Sequence, residues 1–181
     1  EAGITVDKDL TLTGAGVSST IVQASTSPGT GTDRVFLINS GVTATIDGIT
    51  IQHGNSPDDG AGIHNSGTLT LNNSTVRNNS TLAGRGAGIY NGSTLILNSS
   101  TVSGNSASSR PGGGIFSAGT LTLNNSTVTG NQTPYDGAGI FNLFGTVTIK
   151  YSTVTNNIGL YGALYDHRGT VNLQSSLVVG N

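Results

Sequence analysis

Gly60-Ala61-Gly62-Ile63, followed by Thr68-Leu69-Thr70-Leu71 and Asn72-Asn73-Ser74-Thr75-Val76, decides the architecture of this chain, because these three phrases return on a fixed beat. The first returns as Gly86-Ala87-Gly88-Ile89, Gly112-Gly113-Gly114-Ile115 and Gly137-Ala138-Gly139-Ile140, and more loosely as Gly162-Ala163-Leu164-Tyr165. Successive copies lie about 25 residues apart, and each is trailed by short segments of alternating polar and apolar residues. A period of that size marks a solenoid, in which each coil buries its apolar edge only against its neighbours.

Alternation also shows which side chains point inward, since successive strand residues face opposite sides of a sheet. In the coil opened by Ile63 the inward set is Ile63, Leu69, Leu71 and Val76. It recurs as Ile89, Leu95, Leu97 and Val102, as Ile115, Leu121, Leu123 and Val128, as Ile140, Val147, Ile149 and Val154, and as Leu164, Val171, Leu173 and Val178. Stacking turns these into four continuous apolar columns. Upstream, Leu37, Ala44, Ile46 and Ile51 are read into the same positions, and Ile4, Leu10 and Leu12 into a first coil. Between Thr13 and Arg34 that coil carries an insertion whose run Ser25-Thr26-Ser27-Pro28-Gly29-Thr30-Gly31 has the composition of a surface loop. The expectation is an all-β, single-domain solenoid over residues 1–181, with residues 1–34 as a first coil bearing the loop and 35–181 as regular coils, about seven in all.

Composition narrows the function classes. A net charge of −2 with 9% charged residues provides no basic stripe for phosphates, so nucleic acid is not an expected partner. Without Cys there is neither a disulfide framework nor a thiolate metal site, and without Met or Trp little is readily oxidised. No apolar run approaches the roughly 20 residues of a membrane-spanning helix. A chain opening at Glu1-Ala2-Gly3 reads as a mature or trimmed product, and an extracellular or cell-surface location is the expectation. No cofactor is implied.

Asn79, Asn105, Asn131, Asn157 and Asn181 share one repeat position, the corner after the Val column, and are expected to form a structural amide ladder. With these residues in view the resemblance is to the Gly/Asn/Thr-rich repeats of bacterial right-handed parallel β-helix exoproteins, which share the pectate-lyase-like fold and resemble repeats of polymorphic outer-membrane proteins and adhesins. It covers residues 35–181 well and the first coil loosely. It implies a right-handed parallel β-helix but no single activity, because this fold hosts lyases, hydrolases, adhesins and passive spacers.

Candidate chemistry is sparse. Polysaccharide-cleaving β-helices group carboxylates, or calcium with a basic residue, on one face. Here only Asp58 and Asp59 are adjacent, a weak possibility for calcium, and no catalytic residue is assigned. Asp59, Arg85, Arg110 and Asp136 fall at or beside one repeat position, which predicts exposed ion pairs between coils. His53, His64 and His167 occupy three different positions and suggest no metal column. His64, Tyr90, Phe116, Phe141 and Tyr165 follow the inward Ile and are read as an outward aromatic ladder, at least partly accessible, that binds polysaccharide or a partner surface; the alternative is a column packed under a loop. Thr43 and Thr45, Thr68 and Thr70, Thr120 and Thr122, and Thr146 and Thr148 form a hydroxyl and methyl lattice like that of ice-binding solenoids, interrupted by Ile96 and Asn172.

Neither end shows a capping helix. Ile4, Leu10, Thr11 and Leu12 at one end, and Val171, Asn172, Leu173, Leu177, Val178 and Val179 at the other, are expected to continue the columns from one molecule into the next, a head-to-tail contact that generates filaments. The expected function is therefore a non-enzymatic extracellular fibre or surface-layer subunit. The alternative is an adhesive or polysaccharide-binding segment of a larger exoprotein, with lyase or hydrolase activity and ice binding as the remaining readings.

Overall fold

In a computed structural model that describes residues 3–179, three sheets of seven parallel strands and one short three-stranded sheet wrap around a common core. Each strand pairs with its equivalent one turn away, as Ile63–Asn65 does with Ile89–Asn91 and Thr94–Asn98 with Thr120–Asn124. About six turns of about 26 residues join the seven rungs of this parallel β-helix. No helix occurs among the described residues, so none is long and apolar enough to cross a membrane.

The alternation of the sequence is the alternation of burial. In Thr68–Asn72 the Leu side chains are buried and the residues between them half-buried, and the same pattern recurs in Thr94–Asn98. Leu69, Leu95 and Leu121 stand in one register, as do Leu71, Leu97 and Leu123 and, in the third sheet, Val76, Val102 and Val128. All are fully buried. Each such side chain stabilises the fold by roughly 1.5–3 kcal/mol relative to exposure.

At the corner between the second and third sheets one residue per rung turns the chain: Asn73, Ser99, Asn125, Tyr151 and Ser175 all have φ between +46° and +51°. Asn tolerates this left-handed geometry through local hydrogen bonding; Tyr151 has no such preference, and the stack imposes the corner on it. The next residue inward is serine. The Ser100, Ser126 and Ser152 hydroxyls accept the backbone N–H of Ser74, Ser100 and Ser126 at 3.1, 3.1 and 2.9 Å, so this ladder of hydroxyls satisfies buried amides along the axis.

Three readings are corrected. Phe36, not Leu37, takes the inward position of the second rung: Phe36 pairs with Ile63 and is buried, whereas Leu37 pairs with His64 and faces out. The insertion of the first rung is interrupted by a strand, Ile21–Gln23, whose Val22 joins the Val column. A fourth side was not anticipated. Asn55–Ser56, Ser80–Thr81 and Ser106–Ala107 pair in parallel, with Ser56, Thr81 and Ala107 buried, and bridges at Gln132 and Ile158 continue the line.

Candidate functional site

The repeated Asn column closes the corner beyond the Val column from inside. Asn79 Nδ2 donates to Asn105 Oδ1 at 3.0 Å, Asn105 to Asn131 at 2.9 Å and Asn131 to Asn157 at 2.9 Å. Each Oδ1 also accepts the backbone N–H of the preceding Asn, and Nδ2 of Asn105 and Asn131 reaches the Val76 and Val102 carbonyls. All four are buried, so these amides replace hydrogen bonds that water would otherwise supply. They also explain the second glycine of the repeat. A Cβ on Gly88 would lie 2.8 Å from Asn105 Nδ2 and 2.6 Å from the Gly114 carbonyl oxygen. Asn181 lies outside the described residues.

A second polar column was missed. Asn65 Nδ2 donates to Asn91 Oδ1 at 2.9 Å, Asn91 to Ser117 Oγ at 3.0 Å and Asn142 to Asp166 Oδ1 at 2.5 Å. Its signal was present: Asn65, Asn91 and Asn142 recur two residues after the inward Ile, where the first two rungs carry Val6 and Ile38.

The aromatic residues do form one stack. Centroid separations run 4.7 Å for His64 and Tyr90, 5.5 Å for Tyr90 and Phe116, 5.2 Å for Phe116 and Phe141, and 5.3 Å for Phe141 and Tyr165, with interplanar angles of 24° or less. The expected accessibility fails in the middle: Phe116 is 2% and Phe141 7% exposed, while His64, Tyr90 and Tyr165 are half-buried. The cause is the Gly turn that precedes each strand and folds back over the rings. At Gly112 (φ +77°) a Cβ would sit 2.9 Å from Phe116 Cβ, and the Arg85 guanidinium lies 5.2 Å from the Phe116 centroid. Phe116 and Phe141 are packed within the column, while His64, Tyr90 and Tyr165 keep part of their surface in solvent. Burial holds the His64 imidazole below its usual pKa, and its Nδ1 lies 3.2 Å from the Asp59 carbonyl oxygen.

The charges beside these turns do not pair as a ladder. Asp59 Oδ1 accepts the backbone N–H of Arg85 at 2.6 Å, while the Arg85 guanidinium faces Phe116. The one ion pair among the described residues joins Arg34 to Asp58 at 3.6 Å. Asp58, Asp59, Arg34 and His64 line a surface groove of about 420 Å³, yet no three potential metal ligands converge among the described residues.

On the second sheet the outward threonines extend further than the sequence phrases suggest. Thr43, Thr68, Thr94, Thr120, Thr146 and Thr170 occupy one unbroken register, and Thr11, Thr45, Thr70, Thr122 and Thr148 fill most of the next. Among the described residues, the Thr hydroxyls that hydrogen-bond within the protein belong to Thr20, Thr30, Thr50, Thr81 and Thr133, and none belongs to these columns.

At the two ends the columns lie open. Ile4 is 47%, Leu10 39%, Leu173 57% and Leu177 52% exposed, with Thr11, Asn172 and Val179 also exposed and Leu12, Val171 and Val178 half-buried.

Residues 12–181 match the family model of the right-handed beta helix region. The chain belongs to this family. Searches of curated proteins and of solved structures return no match. Membership gives the handedness of the solenoid. It leaves activity open, since one fold carries many functions.

Proposed function

We propose that this β-helix is a non-enzymatic structural protein of the cell exterior whose end rungs stack head to tail on further copies. The carrying observation is that the first and last described rungs expose matching apolar column positions. The top rung offers Leu164, Val171, Leu173 and Val178 in the positions where the bottom rung offers Ile4, Leu10, Leu12 and Val22, so a second copy would continue these four apolar columns with strands still parallel. Unpaired strand edges beside exposed apolar side chains favour such addition. The engagement of Asp58 by Arg34 and of Asp59 by the Arg85 amide supports a structural use of the acidic turn. Absence of oxidisable Cys and Met suits an exterior location. Sedimentation velocity over a wide concentration range, with electron microscopy, tests the reading: the wild type should form rods that Leu173→Asp shortens. A wild type that stays monomeric at high concentration and shows no rods would overturn it.

A second reading is favoured by the threonine face, whose free hydroxyls and methyls repeat at about 4.8 Å between rungs and about 6.7 Å along a strand. β-Branched side chains restrict χ1, which makes such an array regular enough to order water or meet an ice surface. Ice-growth microscopy tests it: faceting by the wild type that is lost in Thr122→Lys/Thr148→Lys supports it, and crystals indistinguishable from buffer sink it.

A further inference from the structure

We propose that Asn125 is the acceptor of an N-linked glycan whose first sugar packs on the ring of Tyr151, an inference that rests on the exterior location read above. The triplet Asn-x-Ser/Thr, which glycosylating transferases read, occurs nine times in this chain. The repeat itself generates it, because the Ser of the inner hydroxyl ladder and the Thr of the third sheet follow the corner Asn. Frequency therefore carries no information, and only placement can choose among the nine.

Placement singles out one. Asn79, Asn91 and Asn131 are at most 1% exposed, and their amides are held in the inner polar columns, where a sugar has no room. Asn72, Asn98 and Asn124 are half-buried in the outer amide ladder, with Asn124 donating to Asn98 and Asn98 to Asn72 at 2.9 Å each. Asn78 is half-buried beside Gly104, whose Cβ would meet Asn78 Oδ1 at 2.8 Å, and Asn73, though exposed, donates its amide to Asp47 Oδ1 at 3.0 Å. Asn125 stands exposed at φ +49° on the corner between the second and third sheets, and its side-chain amide has no hydrogen-bond partner among the described residues. The reading residue, Thr127, opens the strand Thr127–Thr129 on the outward face.

Tyr151 supplies an independent observation. It occupies the same corner one rung up, directly after Lys150, whose carbonyl accepts the Asn125 N–H at 3.1 Å. A φ of +51° is an outlier for so bulky a residue, and such outliers collect where a ligand is held. The side chain is 58% exposed, and among the described residues no other ring stacks on it. Neighbouring rungs lie about 4.8 Å apart, so a sugar on Asn125 stands beside this ring, and its C–H face can cover aromatic surface that water otherwise meets.

Transfer forms a bond from Asn125 Nδ2 to the anomeric carbon of a glycosyl diphosphate donor. It breaks that carbon's bond to the diphosphate oxygen, which leaves with the electron pair, while Nδ2 gives up one proton to a base on the transferase. The glycan projects sideways from the corner, so both end rungs stay free to stack.

The test incubates the folded full-length chain with an Asn-x-Ser/Thr transferase and a lipid-linked glycosyl diphosphate, and reads site occupancy by peptide mass spectrometry. The expected result is a glycan at Asn125, several-fold less at Asn73 and none at Asn79 or Asn131. A synthetic peptide of residues 128–136 should be modified at Asn131, since only burial protects that residue in the fold. Thr127→Ala should abolish transfer with Asn125 still in place. The glycan should raise the melting temperature of the wild type by about 2–4 °C and leave that of Tyr151→Asn unchanged. An unmodified Asn125 in the folded chain, alongside a modified peptide, overturns the site, and an equal melting shift in wild type and Tyr151→Asn overturns the packing on the ring. Rods seen by electron microscopy report separately: rods of chains that take no sugar at Asn125 sink the site alone, and glycosylated chains that never form rods sink the stacking alone.

Discussion

Leu71 and Leu173 belong to the same column and face the same way, yet one is fully buried and the other is 57% exposed. At this column the inner rungs and the end rungs share a sequence pattern and differ in having neighbours on two sides or one. A column position in a solenoid thus has no burial of its own; the rungs above and below confer it. The sharpest way to break this comparison is to place the same charge at both kinds of rung. Leu121→Asp puts a carboxylate in a fully enclosed aliphatic column and should destabilise the fold by more than about 4 kcal/mol, whereas Leu173→Asp, already facing water, should cost less than about 1 kcal/mol. Urea unfolding followed by circular dichroism reads both. Similar losses at the two sites would mean that the columns do not hold the stack.

The same contrast of enclosed and open runs through the asparagines. Asn105 sits in the inner ladder and its side chain makes four hydrogen bonds, to Asn79 twice, to Val76 and to Asn131. Asn98 sits on the outer face, linked to Asn72 and Asn124 at 2.9 Å each and half-buried. Asn105→Ala strands buried donors and acceptors and should cost roughly 2–4 kcal/mol, because an orphaned buried group costs about 1–3 kcal/mol. Asn98→Ala leaves its neighbours open to water and should change stability by about 0.5 kcal/mol or less. Thermal melts of the two variants side by side give the difference, and a larger loss at Asn98 would reverse the assignment of inner and outer ladders.

How far the fold could be read from the residues follows the same line. Where apolar and polar residues alternate, as in Thr68-Leu69-Thr70-Leu71, direction and register are both legible, since a slip by one residue would turn every Leu to solvent. Val35-Phe36-Leu37-Ile38 is apolar throughout, so alternation gives no phase there, and the rung settled with Phe36 inward. The fourth side was invisible because its inward residues, Ser56, Thr81 and Ala107, are small and mostly polar, and periodicity in apolar residues cannot report them. For the aromatic column, alternation correctly puts the rings outside the aliphatic core. Phe116 is flanked by the Gly turn that opens its own strand and by the Arg85 guanidinium from the preceding rung, and the second is a tertiary contact that strand periodicity does not encode.

Acidification should separate the lower rungs from the middle ones. Burial lowers the His64 pKa from 6.5, so the folded protein resists protonating it. The stability this contributes is full above about pH 6.5 and is lost as pH falls through that value toward the lower folded pKa. Asp33 is also held below its usual 3.8, first by the Gly3 N–H and then by the Arg34 N–H and charge, against the opposing effect of burial. Its contribution is present above about pH 3.8 and disappears as pH falls further. Hydrogen exchange should therefore speed up around Ile63–Asn65 between pH 7 and 5 while the strand containing Leu121 is unaffected. His64→Phe should remove the change in that window, and an unaltered pH response in this variant would show that the lower rungs weaken for another reason.

The smallest effect is expected one residue from the largest. Thr122 follows Leu121 directly, points to the opposite side of the second sheet, and is flanked in its column by Ile96 and Thr148. A lysine there can lay its methylene stem along these neighbours while its ammonium stays in water, and no residue of that outward column carries a like charge. Thr122→Lys should thus shift stability by about 0.5 kcal/mol or less. Paired with Leu121→Asp in the same unfolding experiment, it compares the inside and outside of a single strand at adjacent positions, with length, register and rung held constant. A loss at Thr122 approaching that at Leu121 would require the outward face to be packed against something, and the open threonine surface would then have to be redrawn as an interface.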